Sequence, residues 1–135
     1  MVNMFDRMRI NDLNYGMNVS SVASDVITKN IANADTPFYK AEKLVFSEVM
    51  DEYFSDWKKL PLIKTDEKHI EPKNLSMEPS SFIRYQNNMS PRNDFNDVNL
   101  DFEMSSLASN GIQYSIMTQI TGSSFTKLKE AIRGR

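Results

Sequence analysis

Cysteine is absent from this 135-residue chain, and histidine occurs once. Without a thiol the chain has no disulfide, no thiolate zinc site and no cysteine nucleophile. His69, the single imidazole, stands beside Glu67 and Glu71, but no nucleophile or second ligand follows at a useful spacing. A small hydrolase that uses His69 is therefore the weaker hypothesis. We predict that the chain is not an enzyme and binds no cofactor, metal or small-molecule substrate.

Glycine is also scarce, with only Gly16, Gly111, Gly122 and Gly134. Loops that bind phosphate need two or three glycines close together, so this spacing excludes the common nucleotide-binding sites. Charge of one sign is not in excess either. There are 16 Lys and Arg against 18 Asp and Glu, a net charge of -2. A chain so balanced is not expected to bind nucleic acid or an anionic membrane.

Long apolar runs are missing, so no membrane span is predicted. Asp6, Arg7, Arg9 and Asp12 interrupt the N-terminal segment, so we expect no cleaved secretion signal. Leu, Ile, Val and Phe together make up 33 of the 135 residues, little above the range in which chains stay disordered. The chain is poorly supplied for a compact core of its own and is expected to need partners.

Two segments with helical periodicity flank a middle that contains all five prolines. We predict a mainly α fold, with N- and C-terminal helices of matching length paired as an antiparallel coiled coil. The helices are assigned to residues 1–34 and 97–135, which form one core domain. Residues 35–96 are a largely irregular middle with room for a short helix or hairpin. Within it, residues 41–56 favour helix, and residues 64–70 and 81–85 favour short strands or extended chain.

The C-terminal segment has the stronger seam of residues spaced alternately by four and three, the pattern of a coiled coil. A helix broken at Gly122 is the alternative. The seam comprises Leu100, Met104, Leu107, Gly111, Tyr114, Thr118, Thr121, Phe125, Leu128 and Ile132.

The N-terminal segment has a weaker seam with one polar break. Most residues from 18 to 28 have poor helix propensity, so this helix should depend on packing. The predicted seam comprises Phe5, Met8, Asp12, Tyr15, Val19, Val22 and Val26.

A second apolar stripe lies outside the seam on each predicted helix. A helix that is apolar on two sides is buried on two sides, and one partner is already the other helix. We therefore predict that these residues make contacts between subunits. They are Ile10, Leu13, Met17, Ile27, Ile31, Ile112, Ile116 and Ile120.

Within the run NDFNDVNLDFE, residues 93–103, Asp97, Asn99 and Asp101 have the spacing of positions 1, 3 and 5 of a calcium-binding loop. Counted from Asp97, the loop lacks the glycine at its sixth position and the glutamate at its twelfth. We interpret it as a helix N-cap followed by acidic residues in the first turn, whose negative charges interact favourably with the positive end of the helix dipole.

Residues 30–40, NIANADTPFYK, predict a helix stop. Asn33 favours a turn, Pro37 cannot continue a helix, and two aromatic residues follow. The segment resembles the signature N-I-A-N-x-x-T-P-G-Y-[KR] of bacterial flagellar rod, hook and hook-associated axial proteins. The matching residues are Asn30, Ile31, Ala32, Asn33, Thr36, Pro37, Tyr39 and Lys40.

Further matches narrow the resemblance to the short, proximal-rod members of that family. They are the pair Ala34–Asp35, the run TDEKHI (65–70) and the stretch PRNDFNDVNLDFEM (91–104). Phe38 and Phe95 depart from the pattern, because the family usually has glycine there. Since phenylalanine at positive φ is costly, both turns are expected to differ locally from the family's.

The resemblance implies a structural subunit of the flagellar rod, located in the basal body within the periplasmic space. It implies export through the flagellar channel without a cleaved signal. The implied partners are further copies, other rod proteins, and the membrane-ring and export-gate proteins at the rod base. The alternative is a soluble helical adaptor or export chaperone that binds a partner's helix.

Overall fold

A computed structural model describes residues 9–56, 78–86 and 93–134 of the chain. Two long helices dominate it, and a short helix and a two-stranded sheet lie between them in the sequence. The predicted fold class, mainly α with long terminal helices packed on each other, is confirmed. The elements are α1 (Ile10–Ala32), β1 (Glu42–Lys43), α2 (Phe46–Asp56), a 3-10 helix (Pro79–Phe82), β2 (Arg84–Tyr85) and α3 (Leu100–Arg133).

The helices α1 and α3 run antiparallel. Near the start of α1, a Cβ added at Gly16 would lie 3.0 Å from Sδ of Met117. Near its end, Asn30 forms a hydrogen bond with Glu103. The chain advances fourteen positions from Gly16 to Asn30 in α1, while the contacting position in α3 moves back by fourteen, from Met117 to Glu103. At 1.5 Å per residue the helices are about 35 and about 50 Å long, so α3 extends beyond the described start of α1.

The contacting face of α1 is a regular seam with spacings of four and three. Gly16, which has no side chain, lets the Met117 side chain of α3 pack directly against the α1 backbone. Every member is buried: Asp12, Gly16, Val19, Ala23, Val26 and Asn30.

The contacting face of α3 follows the same rule. Its members are buried or half-buried apart from Tyr114, and several are polar. They are Glu103, Leu107, Asn110, Tyr114, Met117, Thr121, Ser124 and Leu128.

This seam corrects the predicted one at every second position. In α1, Tyr15 and Val22 are only half-buried, and their neighbours Gly16 and Ala23 face α3 instead. Tyr15 packs on α2, where its ring stacks on Tyr53 with 4.2 Å between centroids. Predicted seam residues of α3 that are exposed are Leu100, Met104, Gly111, Tyr114, Thr118, Phe125 and Ile132. Phe5 and Met8 lie outside the described residues.

The reason for the offset is chemical. In α1 the predicted seam took the larger residue of each adjacent pair, but the smaller Gly16 and Ala23 face α3, because two helices approach most closely through small side chains. In α3 the observed seam instead has Asn110 and Met117 beside the smaller Gly111 and Thr118. Leu107, Tyr114, Thr121 and Leu128 belong to both seams, as do Asp12, Val19 and Val26 of α1.

The structure of α3 agrees with the sequence prediction for its N-terminus. Asn99 caps α3, and its Oδ1 accepts a hydrogen bond from the Phe102 amide at 3.2 Å. Asp101 and Glu103 follow in the first turn, so the N-cap interpretation of the calcium-like run is confirmed. The helix continues without a break through Gly122, which contradicts the alternative of a helix broken there.

The structure of the middle segment agrees in part with the sequence-based prediction. Residues 41–56 contain β1 and α2, and β1 pairs antiparallel with β2 in the register Glu42–Tyr85 and Lys43–Arg84. The extended segment predicted at residues 64–70 lies outside the described residues. The division of the chain at residues 34 and 97 remains a prediction.

Candidate assembly surfaces

The signature segment folds back on its own chain through Asn30. This side chain is completely buried at the end of α1. Its Nδ2 donates to the Glu42 carbonyl at 2.7 Å, and its Oδ1 accepts from the Glu42 amide at 3.0 Å. The Tyr39 hydroxyl donates to the same Oδ1 at 3.2 Å. One amide side chain therefore ties the helix end to the strand that follows.

Asn96 performs the complementary role from the other side. It is completely buried, and its Nδ2 lies within 2.8–3.1 Å of the carbonyl oxygens of Asn33, Ala34 and Thr36. Its Oδ1 accepts from the Val98 amide at 2.7 Å. Asparagine suits this position because it offers donors and an acceptor in one small plane.

Main-chain and ionic contacts complete the join between the two segments. The Phe38 amide donates to the Asp94 carbonyl at 2.9 Å, and the Lys40 ammonium lies 3.0 Å from the buried Asp97 carboxylate. We call residues 30–42 together with residues 94–98 the clasp. The two sequence motifs, about sixty residues apart, meet there. Of the other signature residues, Ile31 and Asn33 are half-buried, and Ala32, Thr36 and Pro37 are exposed.

Phe38 and Phe95 correct an expectation. Both keep the left-handed backbone that glycine adopts easily, with φ of 61° and 55°. Their rings stack almost in parallel, 5.7 Å apart at 8°. The stack compensates part of the conformational cost, so the turns keep a positive φ without glycine. The rings are nevertheless 73% and 60% exposed. We refer to them as the aromatic pair.

Glu103 is a titratable group whose pKa is changed by this packing. It is 4% exposed at the α1–α3 contact. Burial raises the pKa of its carboxyl, and the hydrogen bond to Asn30 and the positive charge of Lys43 oppose the rise only in part. Within the described ranges, no three His, Asp or Glu side chains are grouped to hold a metal ion.

The outer stripe of α3 is exposed, as predicted for a surface without an internal partner. Ile112, Ile116 and Ile120 are 63%, 51% and 47% exposed. They lie outside the seam at a spacing of four residues, so the row shifts from the opposite side of α3 at Ile112 towards the flank of the seam at Ile120. We refer to these three residues as the isoleucine stripe.

The corresponding stripe of α1 is less accessible. Ile10 is buried within this chain, which corrects its assignment to a free subunit surface. The remaining four, Leu13, Met17, Ile27 and Ile31, are half-buried. Met17 contacts α3 itself, since the Thr118 hydroxyl lies 3.8 Å from its sulfur.

A signal in the sequence that the periodicity analysis missed reinforces the isoleucine stripe. No Asp, Glu, Lys or Arg occurs between residues 104 and 127, although most of this part of α3 is exposed. A solvated helix face normally carries charges, and the centres of protein interfaces are depleted of them. No helix among the described residues is long and apolar enough to cross a membrane.

The chain matches no family model. It is similar to individual proteins named flagellar basal body rod protein FlgB. The protein of that name from Bacillus subtilis strain 168 is 35% identical over 129 residues, 93% of each chain. Those from Aeromonas hydrophila and Borreliella burgdorferi are each 31% identical, over 89% and 87% of this chain and 89% and 90% of theirs.

Coverages of 87–93% of this chain include the clasp and most of both long helices, and they reach well beyond the short signature. The relatives are named as rod components and not as enzymes. With the two motif segments joined in one structure and this degree of identity, the chain belongs to the FlgB family of flagellar basal body rod proteins.

Proposed function

We propose that this protein is a structural subunit of the proximal rod, the part of the flagellar drive shaft nearest the membrane, and that it assembles helically through its terminal helices. The observation that carries the proposal is the exposed, charge-free outer face of α3 with its isoleucine stripe. An aligned row of three exposed isoleucines on one helix indicates a partner, because single exposed apolar residues are normal but such a row is not.

Mechanical transmission of torque needs many lateral contacts between stiff elements. The chain supplies a continuous helix of 34 residues that is packed on α1 along one side and open along the other. Its partners would be further copies, other rod proteins, and the membrane-ring and export-gate proteins at the rod base. Its location would be the periplasmic part of the basal body, reached through the flagellar export channel without a cleaved signal peptide.

Replacement of Ile116 tests the proposal. In a strain that lacks the chromosomal gene, rods should be absent, and a plasmid copy of the wild type should restore them. Ile116→Asp places a charge in the centre of the stripe and should abolish rods, whereas Ile116→Val should restore them. Rods are counted by electron microscopy of isolated basal bodies, and motility is scored on soft agar.

The folded state provides the control. Because Ile116 is about half exposed and faces away from the seam, both purified variants should unfold at nearly the wild-type temperature. Normal rods built from the Ile116→Asp protein would contradict the proposed role of this face. Normal basal bodies in the strain without the gene would contradict the rod function altogether.

A further inference from the structure

The aromatic pair is a second apolar surface, separate from the isoleucine stripe. Phe38 and Phe95 stack on each other, so neither ring needs a further partner within the chain. Each is nevertheless held in a backbone conformation that costs phenylalanine about 1–2 kcal/mol. Strained, solvent-exposed aromatic residues occur preferentially where a protein contacts a ligand or partner.

The two surfaces lie at different places on the molecule. Phe95 precedes the first residue of α3 by five positions, whereas Ile112 and Ile120 lie about 18 and about 30 Å along that helix. Because the two surfaces are different, a contact between them does not have to be returned by the same pair of copies. When each copy instead contacts a third copy through its second surface, the contact is heterologous, and repeated contacts of that kind produce a helical array unless the rotation closes into a ring.

We propose that the aromatic pair of one subunit packs on the isoleucine stripe of a second copy of this chain. This proposal rests on the proposed rod function and names one of its contacts. A flat stack of two rings complements a ridge of branched side chains spaced four residues apart. Neither surface includes a charge, so their contact leaves no unpaired ion buried.

The size of the contact agrees with assembly in a polymer rather than with a free dimer. Covering both rings and the three isoleucines would remove on the order of 500 Å² of surface from water. Stable dimers need about 1,200 Å² or more. The contact is therefore too small to hold two copies together in dilute solution, and it becomes effective when each subunit has several neighbours at once.

Disulfide cross-linking tests the proposal cleanly, because the wild-type chain has no cysteine. Phe38→Cys and Ile116→Cys chains are made in the same cells, and their basal bodies are isolated and oxidised. The same two chains are also purified and oxidised together at high concentration, so that a variant excluded from the rod is still scored. The linked peptides are identified by mass spectrometry.

A matched control uses the neighbouring exposed residue Ser115, which lies at the same height on α3 but about 100° around the helix. We expect the Phe38→Cys with Ile116→Cys dimer to be at least fivefold more abundant than the Phe38→Cys with Ser115→Cys dimer. The second pair, Phe95→Cys with Ile112→Cys, should give the same ranking.

The proposal is overturned if neither pair links above the control in either preparation. It is also overturned if Phe38→Cys links mainly to itself, which would indicate a two-fold contact, or mainly to a different rod protein. These outcomes are separable from failure of the rod function, because cysteine-free subunits would still build normal rods in every one of them.

Discussion

Asn110 fixes the alignment of the two long helices. Its Nδ2 donates to the Ser20 carbonyl and to the Ser24 hydroxyl, both at 2.8 Å, and its Oδ1 accepts from the Ser20 hydroxyl at 2.7 Å. A register shift of one turn would leave these groups buried and unpaired. A buried polar residue with partners in only one alignment is a known way to specify register in coiled coils.

Replacement of Asn110 by alanine should lower the free energy of unfolding by about 1–3 kcal/mol, because the buried Ser20 hydroxyl and carbonyl lose their hydrogen bonds to the Asn110 side chain. Chemical denaturation followed by circular dichroism measures the change. Ser109→Ala is the control, since Ser109 is exposed on the same helix turn and should have little effect. Equal midpoints for the two variants would show that the polar contact does not stabilise the pair.

Glu103 should make stability depend on pH in a defined direction. Burial raises the pKa of its carboxyl above the usual 4.5, so the folded state binds a proton more readily than the unfolded chain. The contribution favours folding below the unfolded pKa and is lost as the pH rises through the folded one. Glu103→Gln should therefore be more stable than the wild type at pH 7.

The difference between Glu103→Gln and the wild type should disappear near pH 3, where both side chains are neutral. Thermal melts at the two pH values provide the comparison. Asp101→Asn is the control, because Asp101 is an exposed carboxylate in the first turn of the same helix. A Glu103→Gln protein that is less stable than the wild type at pH 7 would mean that the carboxylate is stabilised by its hydrogen bond with Asn30.

Phe38 permits a test of backbone strain against ring stacking. Phe38→Gly removes the cost of a positive φ but also the stack, and the two terms are each about 1 kcal/mol, so the net change should be small. Phe38→Ala keeps most of the strain and loses the stack, so it should be less stable by about 1 kcal/mol. Melting temperatures that rank alanine at or above glycine would contradict a strained left-handed backbone at this residue.

At the scale of elements, the sequence predicts the helices better than their faces. The spacing of four and three placed both long helices, and Asn99 and the acidic turn placed the start of α3. The predicted contact faces were correct only at alternate seam positions. In α1, for example, Gly16 and Ala23 face α3 where the larger Tyr15 and Val22 were expected. Size and hydrophobicity do not show which of two adjacent residues faces a neighbour when small residues allow a closer approach.

The clasp was predictable only as a turn. Residues 30–40 indicated a helix stop, but nothing in that segment shows that Asn96, sixty residues away, satisfies its carbonyl groups. The conformation of Phe38 was predicted wrongly for a related reason. The expectation rested on the local cost of a positive φ for phenylalanine. The stacked ring of Phe95, which partly compensates for that cost, cannot be inferred from the sequence near Phe38.

Gly111 and Gly16 give a matched pair of helical glycines. A Cβ at Gly111 would meet nothing within 4 Å, whereas one at Gly16 would lie 3.0 Å from Met117 Sδ. Gly111→Ala should raise the free energy of unfolding by about 0.5–1 kcal/mol through helix propensity. Gly16→Ala should gain less or lose stability, because Met117 must move. The midpoints of denaturant unfolding measure both changes. A larger gain in stability for Gly16→Ala than for Gly111→Ala would mean that the helices are not in close contact at Gly16.

At the scale of the whole molecule, two sides of α3 have different chemistry. The seam contains buried polar groups with partners inside the chain, such as Asn110 and Glu103. The outer face carries no charge between residues 104 and 127, and its isoleucine stripe has no partner among the described residues of this chain. Stability of the single chain and association between chains are therefore controlled by different residues, and substitutions can change one without the other.

Association through the charge-free face should be nearly independent of salt. Surface ion pairs weaken as the Debye length falls from about 14 Å at 0.05 M salt to about 4 Å at 0.5 M, whereas apolar contacts do not. Light scattering of concentrated purified protein should therefore change little over this range and should increase on warming from 5 to about 25 °C, since apolar association is driven by entropy. Ile116→Asp should abolish the scattering at every salt concentration, and Ile116→Val should retain it. Scattering by the wild type that falls steeply with salt would show that charged residues elsewhere on the chain, and not the isoleucine stripe, hold the copies together.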